Sequence, residues 1–196
     1  MSRLQGSKTL TNLMAAFAGE SQARTRYDLY AEIAYNEGFQ YLHSIFEETA
    51  HNEIAHAKMF FDYLTDDLKN GVVPVHTDYP IGMYHTLENL LYAAAGEQDE
   101  ATTIYPLFAK IAEEEGFKDI ASTFKMITEI EAHHEARFMH FANELKNNSL
   151  FKQNQKVYFK CQNCGHVHEG LSASSICPVC KHPQGFFYVV QNPVMD

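Results

Sequence analysis

AHNEIAHAK, residues 50–58, places Glu53 and His56 three positions apart inside a long helical pattern. Followed outward, Leu42, Phe46, Thr49, Glu53, His56, Phe60 and Tyr63 come at spacings of 4, 3, 4, 3, 4 and 3. That is the core seam of a bundle helix. A carboxylate and an imidazole thus occupy two positions that should be apolar, and the spacing predicts that both point inward.

The pattern returns 78 residues later as Ile120, Phe124, Ile127, Glu131, His134, Phe138 and Phe141. AGESQARTRYDLY (18–30) resembles AGEQDEATTIYPLF (95–108), and NEGF (36–39) matches EEGF (114–117). The chain reads as an internal duplication of a helical hairpin. Each half is helix, Glu-Gly break, helix, and so short a break sets its two helices antiparallel. Residues 66–84, DDLKNGVVPVHTDYPIGMY, are long enough to cross the bundle, so the second and third helices are expected to run parallel. The expected fold is mainly α, a ferritin-like four-helix bundle with one long crossover. A small β metal-binding domain is expected to follow it. The boundaries read as 1–146 for the bundle, 147–156 for a polar linker and 157–196 for the β module, which is too small to be stable without a metal or disulfide.

By the repeat, Glu20 corresponds to Glu97, Glu53 to Glu131 and His56 to His134. Four buried carboxylates repel one another and lose their hydration. Two divalent cations would offset four negative charges, and oxygen-rich ligation with one imidazole per ion suits iron or manganese better than zinc. A single Glu-x-x-His on a helix is usually a solvated pair, and Glu47, Glu48 and Glu113–Glu115 read as surface charges. The doubling of the motif in two apolar seams points to metal. His134 is preferred over His133 because it keeps the seam; His43, His51, His76 and His85 read as surface or loop residues.

Glu100 has no counterpart in the first half, where the matching place is near Ala23 or Arg24. It is either a half-exposed helix charge or a seventh ligand able to exchange with His56 on oxidation. Tyr27 and Tyr105 sit seven and eight residues past their Glu, so one residue has been inserted in the third helix. Such an insertion is commonly absorbed as a π-bulge, and Pro106 weakens the helix at the same place. A π-type distortion between about Glu97 and Pro106 is expected, turning Glu100 inward. The two tyrosines are candidates to hydrogen-bond the ligand carboxylates, with core packing as the plainer role.

Cys161-x-x-Cys164 and Cys177-x-x-Cys180 form two knuckles that together make one tetrahedral thiolate site. Spacing does not separate iron from zinc; a di-metal site in the same chain favours iron as a one-electron relay. The formal charge of −10 argues against nucleic acid or an anionic membrane as partner. No secretory leader or membrane-length apolar run is seen, and the clustered cysteines suit a reducing cytoplasm.

AGESQAR (18–24), Glu53-x-x-His56, AAGE-x-x-E (94–100), YP (105–106), Glu131-x-x-His134 and C-x-x-CG-x-VHEG (161–170) together resemble the rubrerythrin family over nearly the whole chain. The resemblance implies a non-haem di-iron centre followed by a rubredoxin-like Fe(Cys)4 domain, and a peroxidase that reduces hydrogen peroxide to water in oxidative-stress protection. Glu53 and Glu131 would bridge the irons; Glu20 with His56 or Glu100 would complete one, Glu97 and His134 the other. A head-to-tail homodimer is implied, with reduced rubredoxin or a nicotinamide-dependent reductase as electron donor. A ferritin-like ferroxidase is the alternative function, which an electron-return module does not suit.

Overall fold

The computed structural model describes residues 3–191; the outermost ends of the expected domains, residues 1–2 and 192–196, lie outside that range. Helix α1 runs Lys8–Asn36 and α2 Gln40–Leu68. The third bundle helix has three parts: α3 (Thr86–Asp99), a π turn (Glu100–Ile104) and α4 (Tyr105–Glu114). Helix α5 spans Lys118–Lys146. The π turn falls inside the stretch where the extra residue was expected to force one, and the chain re-enters α geometry at Tyr105-Pro106.

Both Glu-Gly breaks are built alike. Gly38 and Gly116 each sit at φ 87°, a left-handed conformation natural only to glycine. Phe39 N–H then bonds back to the Ala34 carbonyl, and Phe117 N–H to that of Ala112, both at 2.8 Å. The glutamates of the breaks reach across to the other half. Glu37 accepts hydrogen bonds from His85 Nδ1 (2.6 Å) and Thr86 N–H (3.0 Å) at the start of α3. Glu115 accepts from the N–H groups of Lys8 (2.9 Å) and Thr9 (2.8 Å) and from the Thr9 hydroxyl at the start of α1. Each carboxylate thereby satisfies orphan donors at a positive helix end. Glu115 is exposed, as the surface reading of 113–115 expects, and it also caps a helix. The same contacts order the bundle. The end of α1 meets the start of α3, so those two are antiparallel, and α2 and α3 run parallel.

Two apolar clusters flank a polar layer. One contains Tyr27, Tyr30, Phe46 and Phe138; the other contains Phe60, Tyr105, Ile120 and Phe124. The repeat exchanges them: Phe46 matches Phe124, Phe60 matches Phe138, and Tyr27 matches Tyr105. Between them lie the four seam glutamates and two histidines, all buried. The seams fray only at Tyr63 and Phe141, which are half-buried.

Residues 147–156, expected as a polar linker, are ordered against their neighbours. Leu150 is buried in the first apolar cluster, Phe151 stacks on Phe39, and β1 already begins at Lys152. Strands β1 (Lys152–Cys161), β2 (Val167–Ser172) and β3 (Phe187–Val190) form an antiparallel sheet in the order β2-β1-β3. This module rests on the α1–α2 break. Tyr188 stacks on Tyr41 with ring centroids 4.2 Å apart. Gly185 is packed so closely that a Cβ there would lie 1.8 Å from the Gly38 carbonyl oxygen.

Candidate metal centre

Each of the four bundle helices contributes one carboxylate at the same level, and α2 and α5 each add the imidazole one turn on. Glu20 and Glu97 come from the first helix of each half, Glu53 with His56 and Glu131 with His134 from the second. Their ligand atoms fall into two groups. Glu20, Glu53, His56 and Glu131 converge within 4.8 Å of one another, and so do Glu53, Glu97, Glu131 and His134. Glu53 and Glu131 belong to both groups.

His56 Nδ1 lies 2.9 Å from Glu53, 2.9 Å from Glu131 and 3.7 Å from Glu20. His134 Nδ1 lies 2.8 Å from Glu131, 3.2 Å from Glu53 and 3.6 Å from Glu97. The polar atoms left unsatisfied here include Glu20 Oε2, Glu53 Oε1, Glu97 Oε2, both Glu131 oxygens and His134 Nδ1. Buried polar atoms are otherwise almost always paired. A whole set of orphan acceptors facing one another is what a pair of cations would satisfy, and the donor set fits iron.

The electrostatics agree. Burial pushes the Glu20 carboxyl well above its usual range, with Glu53 and Glu131 adding repulsion. Glu97 is raised to about 8, first by burial. Burial also opposes ionisation of Glu53, but its contacts with His134 and His56 outweigh it and bring that group down to about 2. Burial works to lower His134, yet its contacts with Glu131, Glu53 and Glu97 raise it to about 12, and His56 is raised for the same kind of reason. Bound cations would relieve the repulsion among these carboxylates and take the place of protons on the ligands.

The two tyrosines act crosswise. The Tyr27 hydroxyl donates to Glu97 Oε1, and the Tyr105 hydroxyl donates to Glu20 Oε1. Both tyrosines are buried, with their own ionisation pushed well up by burial. Each therefore stays a donor and fixes one carboxylate oxygen.

Glu100 stands apart from both groups. It opens the π turn, is half-buried, and lines a cavity of about 240 Å³ with Gly19, Tyr79, Tyr92, Ile104 and Tyr105. Its Oε1 would lie 3.7 Å from a Cβ on Gly19, an ordinary van der Waals distance, so the carboxylate packs close against α1. Burial, then repulsion from Glu20 and Glu97, holds its carboxyl well above the usual range. The crossover covers one side of the cavity and is tied to the bundle: Tyr79 donates to the Ala15 carbonyl (3.0 Å), and Tyr30 to that of Gly82 (2.7 Å).

Of the remaining histidines, His133 is exposed, which leaves the seam to His134. His43 is half-buried rather than a plain surface residue, its Nδ1 3.0 Å from the Ala31 carbonyl. Three polar contacts beside the centre carry no sequence motif. Asn52 Oδ1 lies 3.3 Å from His134 Nε2, and Arg137 donates to Glu48 and Thr49, each at 2.7 Å.

In the β module all four thiols converge within 4.8 Å, with Cys161 and Cys180 Sγ 3.7 Å apart and Cys164 and Cys177 Sγ 3.6 Å apart. The knuckles repeat one another. Cys161 N–H bonds the His166 carbonyl and Cys177 N–H that of His182, both at 2.8 Å. Gly165 at φ 75° and Lys181 at φ 63° turn the two loops. Cys164 is exposed at the module surface, whereas Cys161 and Cys177 are buried.

Residues 11–142 match the family described as Rubrerythrin, and residues 159–188 match its rubredoxin-like domain. The chain is 46% identical over 190 residues to a rubrerythrin of Clostridium perfringens, covering 96% of this chain and 97% of that one. It is 43% identical over 188 residues to the rubrerythrin of Nitratidesulfovibrio vulgaris, covering 95% and 96%. Among solved structures, mixed-valence nigerythrin superposes with a TM-score of 0.64 at 27% identity, covering 95% of this chain and 90% of that one.

Proposed function

This chain belongs to the rubrerythrin family, with its di-iron centre and four-cysteine site, and we propose that it is a peroxidase that reduces hydrogen peroxide to water. The observation that carries this is the pairing, in one chain, of two carboxylate-histidine groups sharing Glu53 and Glu131 with a separate four-thiolate site. Oxidation at the first needs an electron return path, and the second is suited to provide it. An iron-storing ferroxidase has no use for such a module.

In this proposal Glu53 and Glu131, common to both groups, would be shared by the two ions; Glu20 and His56 would hold one, Glu97 and His134 the other, and Glu100 would be free to join the His56 position. When bound, the iron pair supplies two electrons to the O–O bond. The protein does the rest. Tyr27 and Tyr105 hold Glu97 and Glu20 in place. The cavity beneath the crossover admits peroxide. Glu100 stands at its wall, where burial favours the protonated carboxyl, and is placed to give a proton to the leaving oxygen. Two protons and two electrons then convert one peroxide into two waters.

Cys161, Cys164, Cys177 and Cys180 hold the relay iron. The β module touches the bundle at Gly38 and Tyr41. Glu53 lies about 20 Å further along α2 at the usual helical rise. The relay is therefore best placed to serve the centre of a second copy in a head-to-tail homodimer, recharged by reduced rubredoxin or a nicotinamide-dependent reductase. Among the described residues no helix is long and apolar enough to cross a membrane. A cytoplasmic location is proposed on a different ground, the four free cysteines gathered at one site as suits a reducing compartment.

The test is to reduce the protein anaerobically and mix it with one equivalent of hydrogen peroxide or of O2, following the visible absorption of the cysteine-bound iron. Fast recolouring with peroxide and slow recolouring with O2 is expected. Faster recolouring with O2 would replace the peroxidase by an oxidase or ferroxidase. A colourless protein would mean zinc in the cysteine site and would end the relay.

A further inference from the structure

The duplication gives the two metal positions matching ligands, but it has not given them matching surroundings. Asn52 on α2 faces His134 on α5, with Oδ1 3.3 Å from Nε2. An imidazole that binds a cation through Nδ1 carries its proton on Nε2, and Asn52 Oδ1 is placed to accept it. The same level of the bundle is tied further by Arg137, which bridges Glu48 and Thr49.

The repeat identifies what stands at the corresponding places around His56. The counterpart of Asn52 is Ile130, that of Arg137 is Met59, and those of Glu48 and Thr49 are Met126 and Ile127. All four polar partners are replaced by apolar side chains. Ile130 has no atom able to accept a proton from an imidazole.

We propose that Asn52 is a positioning residue that makes the two metal positions unequal. By holding His134 through Nε2, it lets that position take up a divalent cation before the His56 position and hold it more tightly. For a divalent cation the inequality is set by these surroundings, since the two converging groups hold alike ligands and Glu100 stands outside both. The proposal rests on the di-metal reading of the bundle and not on peroxide being the substrate.

The experiment titrates Co2+ into the full chain with iron in its cysteine site and the bundle stripped of metal, followed by calorimetry and chelator competition. Two resolved binding steps are expected in the wild type, with His134→Ala removing the tighter one. Asn52→Leu should weaken that step about 10- to 100-fold and leave the other unchanged. Asn52→Asp keeps an acceptor and should retain it. Ile130→Asn should tighten the weaker step, a gain that a merely structural role does not predict and that decides the matter if Asn52→Leu fails to fold. Two equal steps in the wild type would overturn the proposal. So would an Asn52→Leu effect spread equally over both steps, or an Ile130→Asn protein that folds and binds as the wild type does. A stripped bundle that takes up no cation would overturn the di-metal reading itself, whatever the chain does with peroxide.

Discussion

The half of the metal layer that holds His134 and the half that holds His56 were built from one hairpin, and they differ in what lies behind the ligands. Around His134, Asn52, Thr49, Glu48 and Arg137 tie α2 to α5 by polar contacts. Around His56 the matching places are filled by Ile130, Ile127, Met126 and Met59. The His56 half also adjoins the cavity, because Tyr105 bonds its Glu20 and lines the cavity beside Glu100. One half is braced and the other is accessible. A duplication supplies a symmetric charge layer cheaply; unequal chemistry at its two ends then comes from substitutions around the ligands and one inserted residue.

The sharpest way to break this comparison is to remove what both halves share. Glu53→Ala or Glu131→Ala should abolish both metal equivalents, whereas Glu20→Ala or Glu97→Ala should spare one; metal analysis after dialysis distinguishes the two. The crosswise tyrosines come next. Tyr105→Phe should loosen the His56 position and Tyr27→Phe the His134 position, each about 10-fold in cation affinity, as for other supporting hydrogen bonds to metal ligands. Arg137→Met, which copies Met59, should shift the braced half toward the other by a smaller factor in the same titration.

The smallest effect is one of sameness. Glu37→Gln and Glu115→Gln should each cost about 1 kcal/mol, seen as similar drops in thermal midpoint, since each carboxylate caps the start of a helix in the other half. Both carboxyls are held below their usual range despite the opposing effect of burial, Glu37 by Thr86 and His85, Glu115 by Thr9 and Lys8. Their stabilisation is therefore full above the ordinary carboxylate pKa and is lost as pH falls through the lowered folded value. Melting curves against pH should show that acid loss in the wild type, reduced in either variant.

The buried polar layer was legible because its signal is a violation repeated twice. Glu53 and His56 interrupt an apolar seam, and Glu131 and His134 do so again at constant offset. The π turn was legible because one extra residue must go somewhere. Long-range partners were not. Nothing local to Glu37 or Glu115 says that it caps a helix of the other half, and Asn52 belongs to no motif. Their roles exist only once α2 and α5 lie side by side. The stretch after Lys146 misled for a related reason: polar composition hides Leu150 and Phe151, whose burial depends on where the β module comes to rest.

The reciprocal caps carry a consequence for how the chain may be cut. Glu115 closes the open end of α1, and Glu37 closes that of α3, so neither hairpin is finished without its sister. The crossover between Leu68 and Thr86 carries no ligand of either metal site. A nick there would leave two pieces that each carry what the other lacks, and the bundle should survive as a noncovalent pair, rejoining from its separated parts.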